Sequence, residues 1–277
     1  MTTTAPPRPK LSSLGEDAAA ALHPGARLLD DVTAFLARFV AFPSEAALTA
    51  VTLWIAHAHA IDAAQSTSRI AFLSPELASG KTRALEVIEL VVPHPMHAVN
   101  CTPAALFRAV KDLATRPTIL FDEIDTVFGP KAKDNEEIRG LLNAGHRRGA
   151  VAYRCVGEGT RQKVEAFPAY AAVALAGLGD LPDTIMTRSV VIRMRRRAPG
   201  EHVEPFRHRM HKAEGHQLRD QLAEWTTTVA DQLEHAWPTM PAGISDRPAD
   251  VWEPLLGSLT PLMVAGLPAP GRHALSW

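Results

Sequence analysis

Residues 74–82 read Ser-Pro-Glu-Leu-Ala-Ser-Gly-Lys-Thr, between the apolar run 69–73 and a helical pattern that begins near Gly80. A strand that turns through small residues into a helix opening on Gly-Lys-Thr is the setting of a phosphate-binding loop. Gly80 lets backbone approach a phosphate closely, and Ser79 before it is small. Lys81 reaches outer phosphate oxygens, and the Thr82 hydroxyl suits Mg²⁺. A helix N-terminus adds N–H groups and a favourable dipole. The loop departs from the usual pattern at Pro75, which stands where glycine is expected and has no N–H to donate.

About forty residues on, Thr-Ile-Leu-Phe-Asp-Glu (118–123) is an apolar strand ending in carboxylates. In enzymes built on such a loop, the first acid of the pair holds magnesium and the second polarises the attacking water. That assigns Asp122 to the metal and Glu123 to general-base work. Asp125 adds a third acid, so the division of labour among the three stays open. The two motifs in this order predict an ATP- and Mg²⁺-dependent P-loop NTPase, with the Asp-Glu pair favouring ATP hydrolysis over a GTP switch.

The surrounding pattern fits that reading. Strand candidates at 69–73, 98–99, 118–123, 151–156, 171–176 and 189–194 alternate with helical stretches, which predicts a largely parallel α/β sheet covered on both faces. Thr102-Pro103 reads as a helix cap followed by a first-turn proline, and Ser44 as the cap of an earlier helix. The divisions expected are a leader (1–27), an N-terminal helical segment (28–66), the ATPase core (67–199), a small helical lid (200–256) and an atypical tail (257–277).

The 277 residues include 29 basic and 30 acidic ones, for a net charge of −1, with 46% hydrophobic and 21% charged residues. This excludes a globally basic nucleic-acid binder and a wholly disordered chain. Cys101 and Cys155 form neither a disulfide framework nor a zinc pattern. The apolar stretch 46–64 is interrupted by His57, His59 and Asp62 and reads as a buried helix, not a membrane span. No signal-peptide layout opens the sequence, and a cytoplasmic protein is expected.

The runs SPELASGKTRALEVIELV, NCTPAALFRAV, TILFDEIDTVF, EEIRGLLNAGHRRGA with RCVG, and LPDTIMTRSVVIRMRRRAPGE resemble the domain of unknown function 3631 family, over about residues 28–256. The resemblance implies an AAA+-like P-loop ATPase of the additional-strand, catalytic-glutamate class, with a three-layer αβα core. It also implies association with replication proteins of phage and mobile DNA. In AAA+ proteins an arginine placed like Arg188 reaches a neighbouring subunit's γ-phosphate, so the resemblance implies a homo-oligomer, with a ring as one form. Such proteins also end the strand matching AAVALAG on a polar sensor, where this sequence has Ala176 and Gly177. Asp183 or Thr184 are the candidate substitutes.

DNA is an expected partner through a β-hairpin read over VAYRCVGEGTRQKVEAF, with Arg161 and Lys163 as phosphate contacts. The competing reading of that stretch is an exposed turn with solvated charges. His146-Arg147-Arg148 complements a helix C-terminus. Arg193, Arg195, Arg196 and Arg197 either bind phosphate or pair with Glu201 and Glu204. The histidines lack ligand spacing. The tail beyond 256 loses helical period and is expected to be truncated or frame-shifted, with no helix of its own.

Overall fold

The computed structural model describes residues 24–98, 101–112, 116–128, 136–157, 162–241 and 243–264. Five parallel strands form the central sheet: β1 (Arg69–Leu73), β2 (Pro95–His97), β3 (Thr118–Phe121), β6 (Val173–Gly177) and β7 (Ser189–Arg193), in the order β2-β3-β6-β1-β7. β6 therefore lies between β1 and β3. Every residue of β1, β3 and β6 is buried, as expected where helices cover both faces of a parallel sheet.

Side chains alternate between two cores. Ile70, Phe72, Ala174 and Ala176 face one, and Ala71, Leu73, Val173 and Leu175 face the other. The first core is closed by α1 (Pro24–Phe39), α2 (Glu45–His59), α3 (Lys81–Glu89), α8 (His208–Thr228), α9 (Ala230–Glu234) and α10 (Asp246–Gly257). On the second side lie α4 (Pro103–Lys111), α5 (Asp125–Phe128), α6 (Glu136–Ala144) and α7 (Asp183–Met186), with the antiparallel pair β4 (Val151–Val156) and β5 (Lys163–Pro168). Sheet and helices thus form the α/β arrangement read from the sequence.

Local chemistry sets the element ends. Ser44 Oγ accepts from Ala47 N at 3.0 Å and Thr102 Oγ1 from Ala105 N at 3.3 Å, so both expected caps are present. Because α2 is apolar nearly all round, it is buried on nearly all sides. Its His57 is buried too, with Nε2 2.9 Å from Thr67 Oγ1.

Several boundaries differ from the reading above. The strand expected at 98–99 is Pro95–His97, and β6 starts at Val173 because residues 171–172 precede its ladder. The helical pattern that begins near Gly80 is the helix Lys81–Glu89. The helix α1 starts at Pro24, inside the stretch expected as a leader. Beyond residue 256, α11 (Thr260–Val264) is helical, and Leu259 and Leu262 are buried, so this part of the tail is packed instead of irregular. The amphipathic spacing of Leu255, Leu256, Leu259 and Leu262 carries the helical path past Gly257.

The helical segments read separately at 28–66 and 200–256 pack on each other. Gly215 of α8 leaves no room for a methyl group: a Cβ there would lie 2.5 Å from Leu90 Cβ and 3.2 Å from Phe35 Cζ. Ser68 Oγ donates to the Val251 carbonyl, tying the segment before β1 to α10. Among the described residues no helix is long and apolar enough to cross a membrane.

Candidate functional site: a cavity at the carboxyl ends of the strands

In an open parallel sheet, loops leaving the carboxyl ends of the strands enclose a crevice that suits ligands. Here the loop after β1, the acids after β3 and the turn after β6 meet around a cavity of about 780 Å³. Its lining includes Ser79, Gly80, Lys81, Thr82, Asp122 and Glu123, so six residues singled out from the sequence share one space. Asp125 joins them.

The 74–82 loop is shaped by backbone geometry. Gly80 caps α3 at φ 86°, where a glycine carries no Cβ penalty, and Ala78 is left-handed at φ 57°. Ser74 Oγ accepts from Glu76 N at 3.1 Å, which organises the turn that begins at Pro75. Lys81 Nζ reaches back over the loop to Glu76 O at 3.0 Å, Ser79 Oγ at 3.0 Å and Ser74 O at 3.4 Å. Desolvation pulls its pKa below the ordinary lysine value, opposed by Asp122 and Asp125 nearby.

The acids stand differently from one another. Asp122 is half-buried, and its Oδ1 accepts from Glu123 N at 3.0 Å. Glu123 is exposed at φ 54°, a left-handed conformation unusual for a residue with a side chain. Asp125 Oδ1 accepts from Leu178 N at 3.0 Å, which binds the β3 turn to the β6 turn. Gly177 is pressed beneath these residues, since a Cβ on it would lie 2.7 Å from Ile124 Cγ2 and 3.0 Å from Asp125 Oδ1. A polar side chain at this point of β6 has no space.

A strap from 194 to 207 crosses the loop and forms the far wall. The arginines at 193–197 have different partners. Arg195 pairs with both carboxylate oxygens of Glu201 at 2.6 and 2.7 Å, and that pairing holds the Glu201 carboxyl down at about 2. Arg193 pairs with Asp180 at 2.5 Å, and Glu204 pairs with Arg38 at 3.1 Å. Arg196 Nε donates to Leu77 O at 2.9 Å, and Arg197 lines the cavity. Phe206 anchors the strap against Phe39, with ring centroids 5.2 Å apart, and lies 4.9 Å from the Arg83 guanidinium carbon.

Phe39, Val40, Ala41, Val203 and Phe206 give the cavity an apolar side that sequence reading missed. Only the crowding of arginines at 193–197 hinted that this strap had work near the loop. Arg188 is not in the cavity. Register places Leu73 beside Arg193 and Arg69 beside Ser189, so Arg188 lies at the amino ends of the strands, roughly 16 Å from the cavity along β7. There its guanidinium donates to Thr184 O at 2.6 Å. Asp183 and Thr184 are exposed and do not line the cavity. The β4–β5 pair gives the expected hairpin with Lys163 exposed at its outer end, while Arg161 lies outside the described residues.

Residues 193–274 match the family described as Protein of unknown function (DUF3631). The matched stretch begins at the end of β7, so the DUF3631 match takes in the strap, α8 to α11 and most of the last twenty residues. The loop at 74–82 and the acids at 122–125 lie before it. An uncharacterized 28.9 kDa protein in xis 5′ region from Saccharopolyspora erythraea is 49% identical over 63 residues, or 23% of each chain. The aligned part thus spans about a quarter of that relative's length.

Proposed function

We propose that this chain is an ATP-binding P-loop ATPase of AAA+-like type that works with Mg²⁺. The observation that carries the reading is the convergence of Lys81 with Asp122 and Glu123 at the carboxyl ends of strands separated by β6. Among the described residues no three His, Cys, Asp or Glu side chains form a metal site by themselves. The Thr82 hydroxyl and Asp122 carboxylate are instead the pair that would complete a magnesium shell together with phosphate oxygens. Bound Mg²⁺ would supply charge neutralisation between phosphates.

The protein's own groups supply the rest. Lys81, held now by two carbonyls and a hydroxyl, exchanges them for a phosphate oxygen and neutralises charge that grows as the bond breaks. Glu123, exposed to the cavity, orients and deprotonates the attacking water. Phe39, Val40, Ala41 and Phe206 provide an apolar side for the base, and Arg197 a second cation. Arg188, remote from its own cavity, acts on that of a neighbouring copy in a homo-oligomer. The biological setting we propose is a cytoplasmic, helicase-like motor accessory acting with replication proteins on phage or mobile DNA, with Lys163 among the DNA contacts.

Steady-state phosphate release with and without single-stranded DNA tests this. Turnover that rises with DNA and disappears in both Lys81→Ala and Glu123→Gln is the expected result; turnover unchanged by either substitution sinks the reading. A second reading, an ATP-binding regulatory module with little turnover, draws support from Gly177, where a polar sensor cannot be accommodated. Nucleotide binding with no phosphate release would favour that module.

A further inference from the structure

A second cavity, of about 240 Å³, lies away from the strand ends, where the segment after α2 meets α9 and α10. Its lining includes His57, Gln65, Glu234, Trp237 and Glu253. The volume is below the few hundred Å³ usual for drug-sized ligands and suits a single side chain. The chemistry of the lining is specific. Trp237 is 83% exposed beside the opening, although a lone indole is costly to leave in water. Glu253 is half-buried and Glu234 exposed, and neither forms an ion pair among the described residues.

The buried wall carries no charge. His57 Nε2 lies 2.9 Å from Thr67 Oγ1. Burial keeps the imidazole neutral, with its pKa pushed down to about 4. An exposed aromatic and two unpaired carboxylates around a side-chain-sized space with an uncharged inner wall complement a cation with N–H donors.

We propose that this cavity receives the guanidinium of an arginine side chain presented by a partner protein. The indole covers the planar face, Glu253 pairs with the N–H edge, and Glu234 draws the charge to the opening. Arginine fits better than lysine because its flat fork can stack and pair at once. The site is independent of the nucleotide cavity, so its test stands whether or not the chain binds ATP.

The full-length protein is titrated with N-acetyl-arginine amide while tryptophan fluorescence is followed, and with the uncharged N-acetyl-citrulline amide for comparison. The expected result is a saturable change with a dissociation constant in the millimolar range, roughly tenfold weaker for the citrulline compound. Trp237→Phe removes the change. Glu253→Gln and Glu234→Gln keep the Trp237 signal and weaken binding several-fold, and their near-ultraviolet dichroism reports that the fold is intact. Equal response to both compounds, or binding unaltered in both glutamine variants, overturns the proposal. Binding that appears only in Arg272→Ala assigns the cavity to the chain's own arginine and overturns the partner assignment.

Discussion

Arg196 Nε donates to the carbonyl oxygen of Leu77 at 2.9 Å, and this bond joins the strap after β7 to the 74–82 loop. The same residue's backbone N–H points to Glu76 Oε2 at 3.4 Å. A loop whose first turn is built on Pro75 gains through Arg196 a restraint that its own backbone does not supply. Arg196→Ala is therefore expected to raise the dissociation constant for Mg·ATP by up to about tenfold, the value of one net hydrogen bond. Both partners are exposed, so the melting temperature should barely move. Titration with a fluorescent ATP analogue reads the first effect, and a thermal scan the second.

Asp122→Asn tests the metal assignment. The amide keeps the size of the side chain and loses its charge, so the half-saturating Mg²⁺ concentration for phosphate release should rise by about tenfold or more. Asp125→Asn, whose Oδ1 serves the Leu178 N–H, should change Mg²⁺ dependence less. A larger rise in Asp125→Asn than in Asp122→Asn would put the metal on Asp125.

Two glycines in helices should respond oppositely to alanine. Gly215→Ala drives a methyl group into Leu90 and should destabilise the protein by about 1–3 kcal/mol. Gly140 in α6 is exposed with nothing within 4 Å of a Cβ, so Gly140→Ala should stabilise by about 0.5–1 kcal/mol through helix propensity. Urea denaturation of the pair measures both.

Stability should fall on the acid side through His57. Its pKa is pushed down to about 4 by burial, against 6.5 for the ordinary imidazole. The unfolded chain therefore binds a proton between these values while the folded chain does not. The contribution of neutral His57 is full above pH 6.5 and is lost as pH falls toward 4, about 3 kcal/mol in all. His57→Gln should reduce the dependence of unfolding free energy on pH across that window, leaving the part carried by His59, which burial also pushes down to about 4.

The caps at Ser44 and Thr102, the β4 span and the buried α2 were all legible, because each is set by residues adjacent in the chain. Their signals are a hydroxyl followed by free N–H groups, a short run rich in valine and tyrosine, or an apolar helix with no polar face. The α11 helix was missed, since proline and glycine around it outweigh a short spacing of leucines until those leucines find a core. The residues of the first cavity were legible as motifs, while the strap and the apolar side were not. Nothing local to Phe39 or Phe206 says that they meet across more than a hundred and sixty positions.

The sequence alone therefore determined the helix and strand types, the parallel character of the sheet and the chemical inventory of the main cavity. These follow from periodicity, capping and short motifs, which act over a few residues. Tertiary structure decided the strand order with β6 between β1 and β3, and the union of the N-terminal and C-terminal helices. It also placed Arg196 on Leu77 and Arg188 at the amino ends of the strands, away from the cavity. Those choices depend on side-chain volumes and charges meeting at long range. The space that excludes a methyl group between Gly215 and Leu90 is one case, and the guanidinium of Arg195 selecting Glu201 while Arg38 takes Glu204 is another.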